Sequence, residues 1–180
     1  MNTINQKLKE SFKAIGKQRN LKNPMQAFKL EKIVISAGVG RVKDKSRIEL
    51  IQDRLAKITG YKPVPCAAKK SIASFKLRQG DIIGYKVTLR GKAMEDFLEK
   101  FINITLPRSR DFRGITPKGI DKAGNLTIGI QEHIIFPETS NEEAKDIFGL
   151  AVTLVTNTTN HEDTKAFLTY LGIPFKKDTA

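Results

Sequence analysis

The amino-acid sequence predicts an α+β, two-layer fold, an antiparallel sheet with helices packed on one face. Three observations carry this expectation. Short runs alternate with period two, as where Ile83, Tyr85, Val87 and Leu89 interleave with Gly84, Lys86, Thr88 and Arg90. Longer segments space apolar residues three and four apart, as in Met94, Phe97, Leu98, Phe101 and Ile102. The 180 residues, 39% hydrophobic and 28% charged, suffice for one domain with a core. No repeat or low-complexity linker divides them, so residues 1–180 are expected to form a single domain with an amino-terminal helix and protruding loops.

The elements follow in order. Leu8, Phe12 and Ile15 lie at helical spacing among lysines and predict a helix over about residues 5–19. Pro24 breaks the chain, and Ile33, Val34 and Ile35 mark a strand over 29–36. Gly38 and Gly40 then make a tight turn. Ser46 and Glu49 have capping-box spacing, Ile48, Ile51, Leu55 and Ile58 supply a helix face, and Gly60 ends it. Pro63 and Pro65 make the next piece extended, at a sheet edge. Over 71–78, Ala73, Phe75 and Leu77 alternate with Ser74, Lys76 and Arg78, which predicts a strand before that of 83–90. The face these two strands leave open carries Lys76, Arg78, Lys86 and Arg90. The helix beginning near Met94 stops before Pro107. Residues 107–124 form a long connection containing Gly, Arg and Pro. Leu126, Ile128 and Ile130 mark one strand and residues 150–156 another. Asn160 caps a closing helix with Ala166, Phe167, Tyr170 and Leu171 on its apolar face, and Gly172 and Pro174 lie beyond it.

Charge narrows the function. There are 32 Lys and Arg against 19 Asp and Glu, a net of +13. Residues 1–90 hold 21 basic and 6 acidic residues, whereas residues 91–180 hold 11 and 13. So one-sided a field suits a polyanion on the amino-terminal half. A membrane surface is the other anion to consider. The basic residues have neither a strongly amphipathic Trp/Phe/Leu helix nor a lipidation signal beside them, and no apolar run is long enough to span a bilayer. Nucleic acid leads. The single cysteine, Cys66, cannot form an internal disulfide, which points to the cytosol. One cysteine and two histidines cannot make a zinc site of the usual kind, so no metal is expected.

Catalytic chemistry finds little support. Gly38-Val39-Gly40, between a strand and a helix, could cradle a phosphate, and a small phosphate-ester enzyme is the alternative of a different class. The third glycine of a dinucleotide fingerprint is missing, its place taken by Lys43, and there is no Gly-Lys-Ser/Thr run. Neither His133 nor His161 has a nucleophile nearby, and both read as structural or solvent-facing. Cys66 reads as a small apolar residue. Glu142, Glu143 and Asp146 read as a solvated face. No catalytic residue and no cofactor is expected.

The stronger constellation is Lys69, Lys70 and Ser71 with Phe75, Lys76, Arg78, Lys86, Thr88 and Arg90. Cationic groups neutralise phosphates, and Phe75 or Tyr61 offers a ring for an exposed base. Strand parity favours a core position for Phe75 instead, beside Ala73 and Leu77. A second cluster, Arg108, Arg110 and Arg113 around Asp111 and Phe112, is by itself compatible with an ordinary salt-bridged loop.

Several ordered motifs resemble bacterial large-subunit ribosomal protein five over almost the full chain. They are Thr59-Gly60-Tyr61-Lys62-Pro63, Ala68-Lys69-Lys70-Ser71-Ile72-Ala73, Phe75-Lys76-Leu77-Arg78-Gln79-Gly80 and Lys86-Val87-Thr88-Leu89-Arg90-Gly91, then the run from Leu106 through Arg108, Arg110 and Arg113 to Gly114, Ile134-Ile135-Phe136-Pro137-Glu138, and the ending Gly172-Ile173-Pro174-Phe175-Lys176-Lys177. The resemblance implies a structural protein of the cytoplasmic ribosome. It would bind 5S rRNA and help attach it to the central protuberance of the large subunit. Its other expected partners are large-subunit rRNA, P-site tRNA, a small-subunit head protein and neighbouring central-protuberance proteins, with no membrane. Phe75 and Thr88 match the family's RNA-contact positions. Ser36 and Tyr61 depart from the Asn and Gln usual there. Ser keeps one hydroxyl but not an amide's paired donor and acceptor, and Tyr offers stacking in place of a polar contact. The family's tRNA loop corresponds to about residues 70–84. Its small-subunit contacts correspond to the loop of Arg108, Arg110 and Arg113 and to the acidic segment of Glu138, Glu142, Glu143 and Asp146.

Overall fold

The computed structural model describes residues 4–15, 23–42, 44–110, 112–140 and 146–176. Its helices are α1 (Ile4–Ile15), α2 (Lys45–Thr59), α3 (Gly91–Lys100) and α4 (His161–Leu171). Its strands are β1 (Leu30–Gly38), β2 (Val64–Ala67), β3 (Ile82–Leu89), β4 (Leu126–Ile130) and β5 (Leu150–Thr156). They form one antiparallel sheet in the order β2-β3-β1-β5-β4, and the fold is mixed α+β. In β1 from Ile33 onward, and throughout β4 and β5, alternate residues are buried while those between them are half-buried or exposed. Period two therefore reports a sheet with one covered and one open face, as the sequence predicts. The predicted last residues of the first helix, 16–19, lie outside the described residues.

Packing divides the chain into two compact units. The first holds the described residues up to Ile33, those of Leu89–Ile128, and those from Thr153 onward. Here α1 packs against α3 and α4. Asn5 Nδ2 donates to Glu95 Oε2 at 2.7 Å, and Lys7 Nζ donates to the Leu171 carbonyl at 3.2 Å. That carbonyl is one that the end of α4 leaves without a helical partner, and the negative end of the helix favours a cation there. Phe97, Leu98, Phe101, Phe167, Leu168 and Leu171 are buried, with the rings of Phe97 and Phe101 stacked at 5.9 Å. A π-helical turn, Phe101–Thr105, follows α3 and closes with Leu106 N–H donating to the Phe101 carbonyl at 2.9 Å.

The connection after Pro107, expected to be long and irregular, is tied down. Ile115 N–H donates to Pro174 O at 2.8 Å, and Lys176 N–H donates to Ile115 O at 2.9 Å. The hydroxyls of Thr156 and Thr164 both donate to the Gly124 carbonyl, at 2.7 and 3.2 Å. Ile115 and Ile120 are buried in consequence.

The second unit holds Val34–Thr88 and the described residues of Gly129–Val152. Ile51, Leu55 and Ile58 of α2 are buried, and α2 packs on a short turn, Pro137–Thr139. The expected capping box is absent. The chain enters α2 at Lys45 with Asp44 in the cap position, so Ser46 lies inside the first turn, where its hydroxyl cannot cap. The left-handed Gly60 ends the helix as expected. β2 is an edge strand, paired antiparallel to β3 with Val64 opposite Lys86 and Pro65 opposite Tyr85. His133 is buried and structural. Its ring stacks on Phe148 at 4.1 Å, and its Nδ1 accepts the Phe148 N–H at 3.3 Å.

The strand expected at 71–78 does not form. A 3₁₀ turn, Ala73–Phe75, stands there, closed behind by a two-residue bridge between Ile72 and Leu77. Alternating apolar residues make a buried strand only where a second layer covers them. Here Ala73 and Phe75 meet solvent, so the core position expected for Phe75 is wrong: its ring is 67% exposed.

Candidate nucleic-acid interface

The loop of residues 68–81 joins β2 to β3. At its base Ala68 N–H donates to Asp81 O at 2.8 Å, and Gly80 N–H donates back to Ala68 O at 3.0 Å. Further out, Ile72 and Leu77 exchange two backbone bonds of 3.0 and 3.2 Å. Phe75 lies at the tip, followed by Lys76 in the left-handed region at φ 52°. Lys69, Lys70, Lys76 and Arg78 are all exposed along the same loop. Four cations and a solvent-facing ring thus occupy one short, hydrogen-bonded projection. Such groups suit phosphate and base respectively.

Tyr61 follows the Gly60 cap. Its N–H donates to the Thr59 hydroxyl at 3.3 Å, and that hydroxyl lies 2.7 Å from Leu55 O. The backbone is pinned while the ring stays 54% exposed. In β3, Lys86 and Thr88 are exposed between the buried Tyr85, Val87 and Leu89. Ser36 is half-buried between the buried Ile35 and Ala37 of the neighbouring strand β1. By parity Ser36, Lys86 and Thr88 share the open face of the sheet. Arg90 falls in the other unit, exposed at the residue before α3.

The remaining expected residues divide between the two units. Arg108, Arg110 and Arg113 are exposed in the first unit. Glu138 is exposed and Asp146 half-buried in the second. Glu142 and Glu143, like Asp111, lie outside the described residues.

The Gly38–Gly40 turn is a poor phosphate cradle. Val39 N–H already donates to Ile83 O at 2.9 Å, and Val42 N–H to Val39 O at 2.8 Å. His161 is exposed, with Nε2 3.1 Å from Pro117 O. Among the described residues no group of His, Cys, Asp or Glu could hold a metal ion, and no helix is long and apolar enough to cross a membrane. Sequence reasoning missed Asp81, and it placed Ser71 in the constellation without its role: both side chains accept backbone N–H groups within the loop. It also missed the exposed apolar residues Val64, Ile72 and Ile82. The signal for Asp81 was present in its sequence: an Asp just after Gly80 is a common turn residue.

Comparison with known proteins gives the class first, ribosomal proteins. The family described as ribosomal protein L5 matches residues 23–78, and the C-terminus of the same ribosomal family matches residues 82–175. The large ribosomal subunit protein uL5 of Anaeromyxobacter sp. (strain Fw109-5) is 46% identical over 170 residues, 94% of each chain. Those of Desulfotalea psychrophila and Spiroplasma kunkelii are 47% and 49% identical, over 93% and 92% of this chain and 94% and 92% of theirs. The chain belongs to the ribosomal protein L5 family, uL5. It is a structural constituent of the large ribosomal subunit in the cytoplasm, and the family is not enzymatic.

Proposed function

We propose that this chain binds 5S rRNA and helps attach it to the central protuberance, beside large-subunit rRNA and neighbouring proteins. The observation that carries the reading is the exposed ring of Phe75 on a hydrogen-bonded loop with Lys69, Lys70, Lys76 and Arg78. Tyr61, Lys86, Thr88 and Ser36 contribute further RNA contacts from the same unit, and Arg90 contributes one from the other unit. The same loop, about residues 70–84, meets P-site tRNA. Arg108, Arg110 and Arg113, with the acidic residues Glu138, Glu142, Glu143 and Asp146, meet a small-subunit head protein. The acidic segment suits a basic partner better than phosphate.

Titration with 5S rRNA at several salt concentrations tests the main reading. Replacing Lys69, Lys70, Arg78 and Lys86 together by Gln is expected to weaken binding at least tenfold. It also lowers the slope of log affinity against log salt by about three, since each lost phosphate contact removes roughly 0.7–0.9. Unchanged affinity and slope in a folded variant overturn the assignment.

A further inference from the structure

Two backbone N–H groups on the returning arm of the 68–81 loop are held by side chains. Arg78 N–H donates to Asp81 Oδ2 at 2.8 Å, and Gln79 N–H donates to the Ser71 hydroxyl at 2.9 Å. Asp81 closes the same turn through its main chain, its N–H donating to Arg78 O at 3.2 Å and its carbonyl accepting from Ala68 N–H at 2.8 Å. The tip beyond is strained: Lys76, at φ 52°, is the one non-glycine residue with positive φ among the described residues. A strained tip persists when the structure behind it over-determines it.

On charge alone Asp81 is misplaced. It is the single acidic residue of 68–81, among four cations, on a surface assigned above to phosphate. A carboxylate there repels a polyanion. Its bond to the Arg78 N–H is the service it performs. We infer that Asp81 and Ser71 are positioning residues of the RNA-binding loop: they fix the backbone of Arg78 and Gln79, so that Phe75, Lys76 and Arg78 are ordered before RNA arrives. Binding then avoids the entropy of ordering the loop. The inference rests on the RNA-binding reading of this loop.

The full chain and its Asp81→Ala, Asp81→Asn and Ser71→Ala variants are compared by amide hydrogen exchange in the free protein and by titration with 5S rRNA. Asp81→Ala is expected to speed exchange at Arg78, and Ser71→Ala at Gln79, by roughly tenfold. Each weakens RNA binding about three- to tenfold, while the thermal midpoint stays within about 2 °C because the loop is outside the core. Asp81→Asn keeps an oxygen that accepts the same N–H and removes the charge. It retains slow exchange and binds RNA as tightly as the wild type or more so. If Asp81 acts through charge alone, Ala and Asn both tighten binding, and the positioning role is overturned. Wild-type exchange at Arg78 in Asp81→Ala overturns it too. The exchange measurement needs no RNA. A wild-type chain that fails to bind 5S rRNA therefore refutes the reading of function, while the exchange rates still decide whether Asp81 and Ser71 order the loop.

Discussion

Two connections in this protein, residues 68–81 and 107–125, invite the wrong reading in opposite directions. The first alternates like a strand and stands in solvent, supported by its own backbone bridge and two side-chain acceptors. The second is rich in Gly, Arg and Pro like a surface loop. Yet its backbone pairs with Pro174 and Lys176, and its Ile115 and Ile120 are buried. The difference lies in what each segment meets. Alternation in the first has no second layer to pack against, so the apolar residues Ile72 and Phe75 remain exposed. Glycines in the second admit close approach of another backbone, which is how an irregular segment becomes core.

The sharpest way to break this comparison is to give each segment one methyl group at a glycine of positive φ. Gly124 has φ 77°, and a Cβ there would collide with the Thr158 carbonyl oxygen. Gly80 has φ 95° and nothing within 4 Å of an added Cβ. Gly124→Ala is expected to destabilise the protein by about 3 kcal/mol or more, strain and collision together. Gly80→Ala carries only the left-handed backbone penalty, about 1–2 kcal/mol. Urea unfolding of both variants measures the gap, and equal losses would mean that the two segments are packed alike.

A smaller effect comes from truncating one apolar side chain in each. Ile120→Ala removes a buried group and is expected to cost about 2 kcal/mol or somewhat more. Phe75→Ala removes an exposed ring and should leave stability within about 0.5 kcal/mol. Its effect belongs to RNA affinity instead, where a lost base stack is worth about 1–3 kcal/mol. Thermal unfolding and RNA titration on the same samples separate the two. A Phe75→Ala protein that unfolds as readily as Ile120→Ala would return that ring to the core.

Legibility followed the same division. β1, β4 and β5 and the buried faces of α2 and α3 were readable because a covered face imposes a period on the sequence. So was the edge position of β2, from Pro63 and Pro65. In α4 Phe167 and Leu171 were readable, whereas the buried Leu168 was missed and Ala166 and Tyr170 are only half-buried. Side-chain bonds to distant backbone leave no period. Asn157, for example, pins the segment before β1, accepting Lys29 N–H at 2.8 Å and donating to Ala27 O at 3.0 Å. Nothing near Asn157 in sequence announces those partners. The candidate site was legible in its cations, since charge is local to each residue. The exposure of Phe75 was not, because it depends on the absence of a layer above the loop.

The least of the expected effects concerns the two aspartates that organise these connections. Asp81 holds one N–H of the exposed loop, whereas Asp121 accepts three hydrogen bonds at the tip of the buried one: Oδ1 takes the N–H groups of Ala123 and Asn125, at 3.0 and 2.7 Å, and Oδ2 takes Asn125 Nδ2 at 3.1 Å. The backbone N–H of Asn125 and then its side-chain amide hold the Asp121 carboxyl below its ordinary value, against an opposing effect of desolvation and with a lesser contribution from the Ala123 N–H. A carboxyl with a lowered folded pKa stabilises the protein fully above its unfolded value, about 3.9, and loses that contribution as the pH falls through the folded value. Asp121→Asn keeps one acceptor oxygen but cannot ionise. The group is exposed, and screening there keeps the expected loss at neutral pH under about 1 kcal/mol. The loss should be constant from about pH 7 to about pH 5 and shrink as the wild-type carboxyl takes up its proton below about pH 4. Urea unfolding of both proteins across that range measures it. A gap of the same size at about pH 3 would show that the ionised carboxylate is not what holds the turn. The tip of residues 121–125 would then owe its shape to the backbone bond between Asp121 N–H and Asn125 O, and the buried connection would be held as the exposed one is between Ile72 and Leu77.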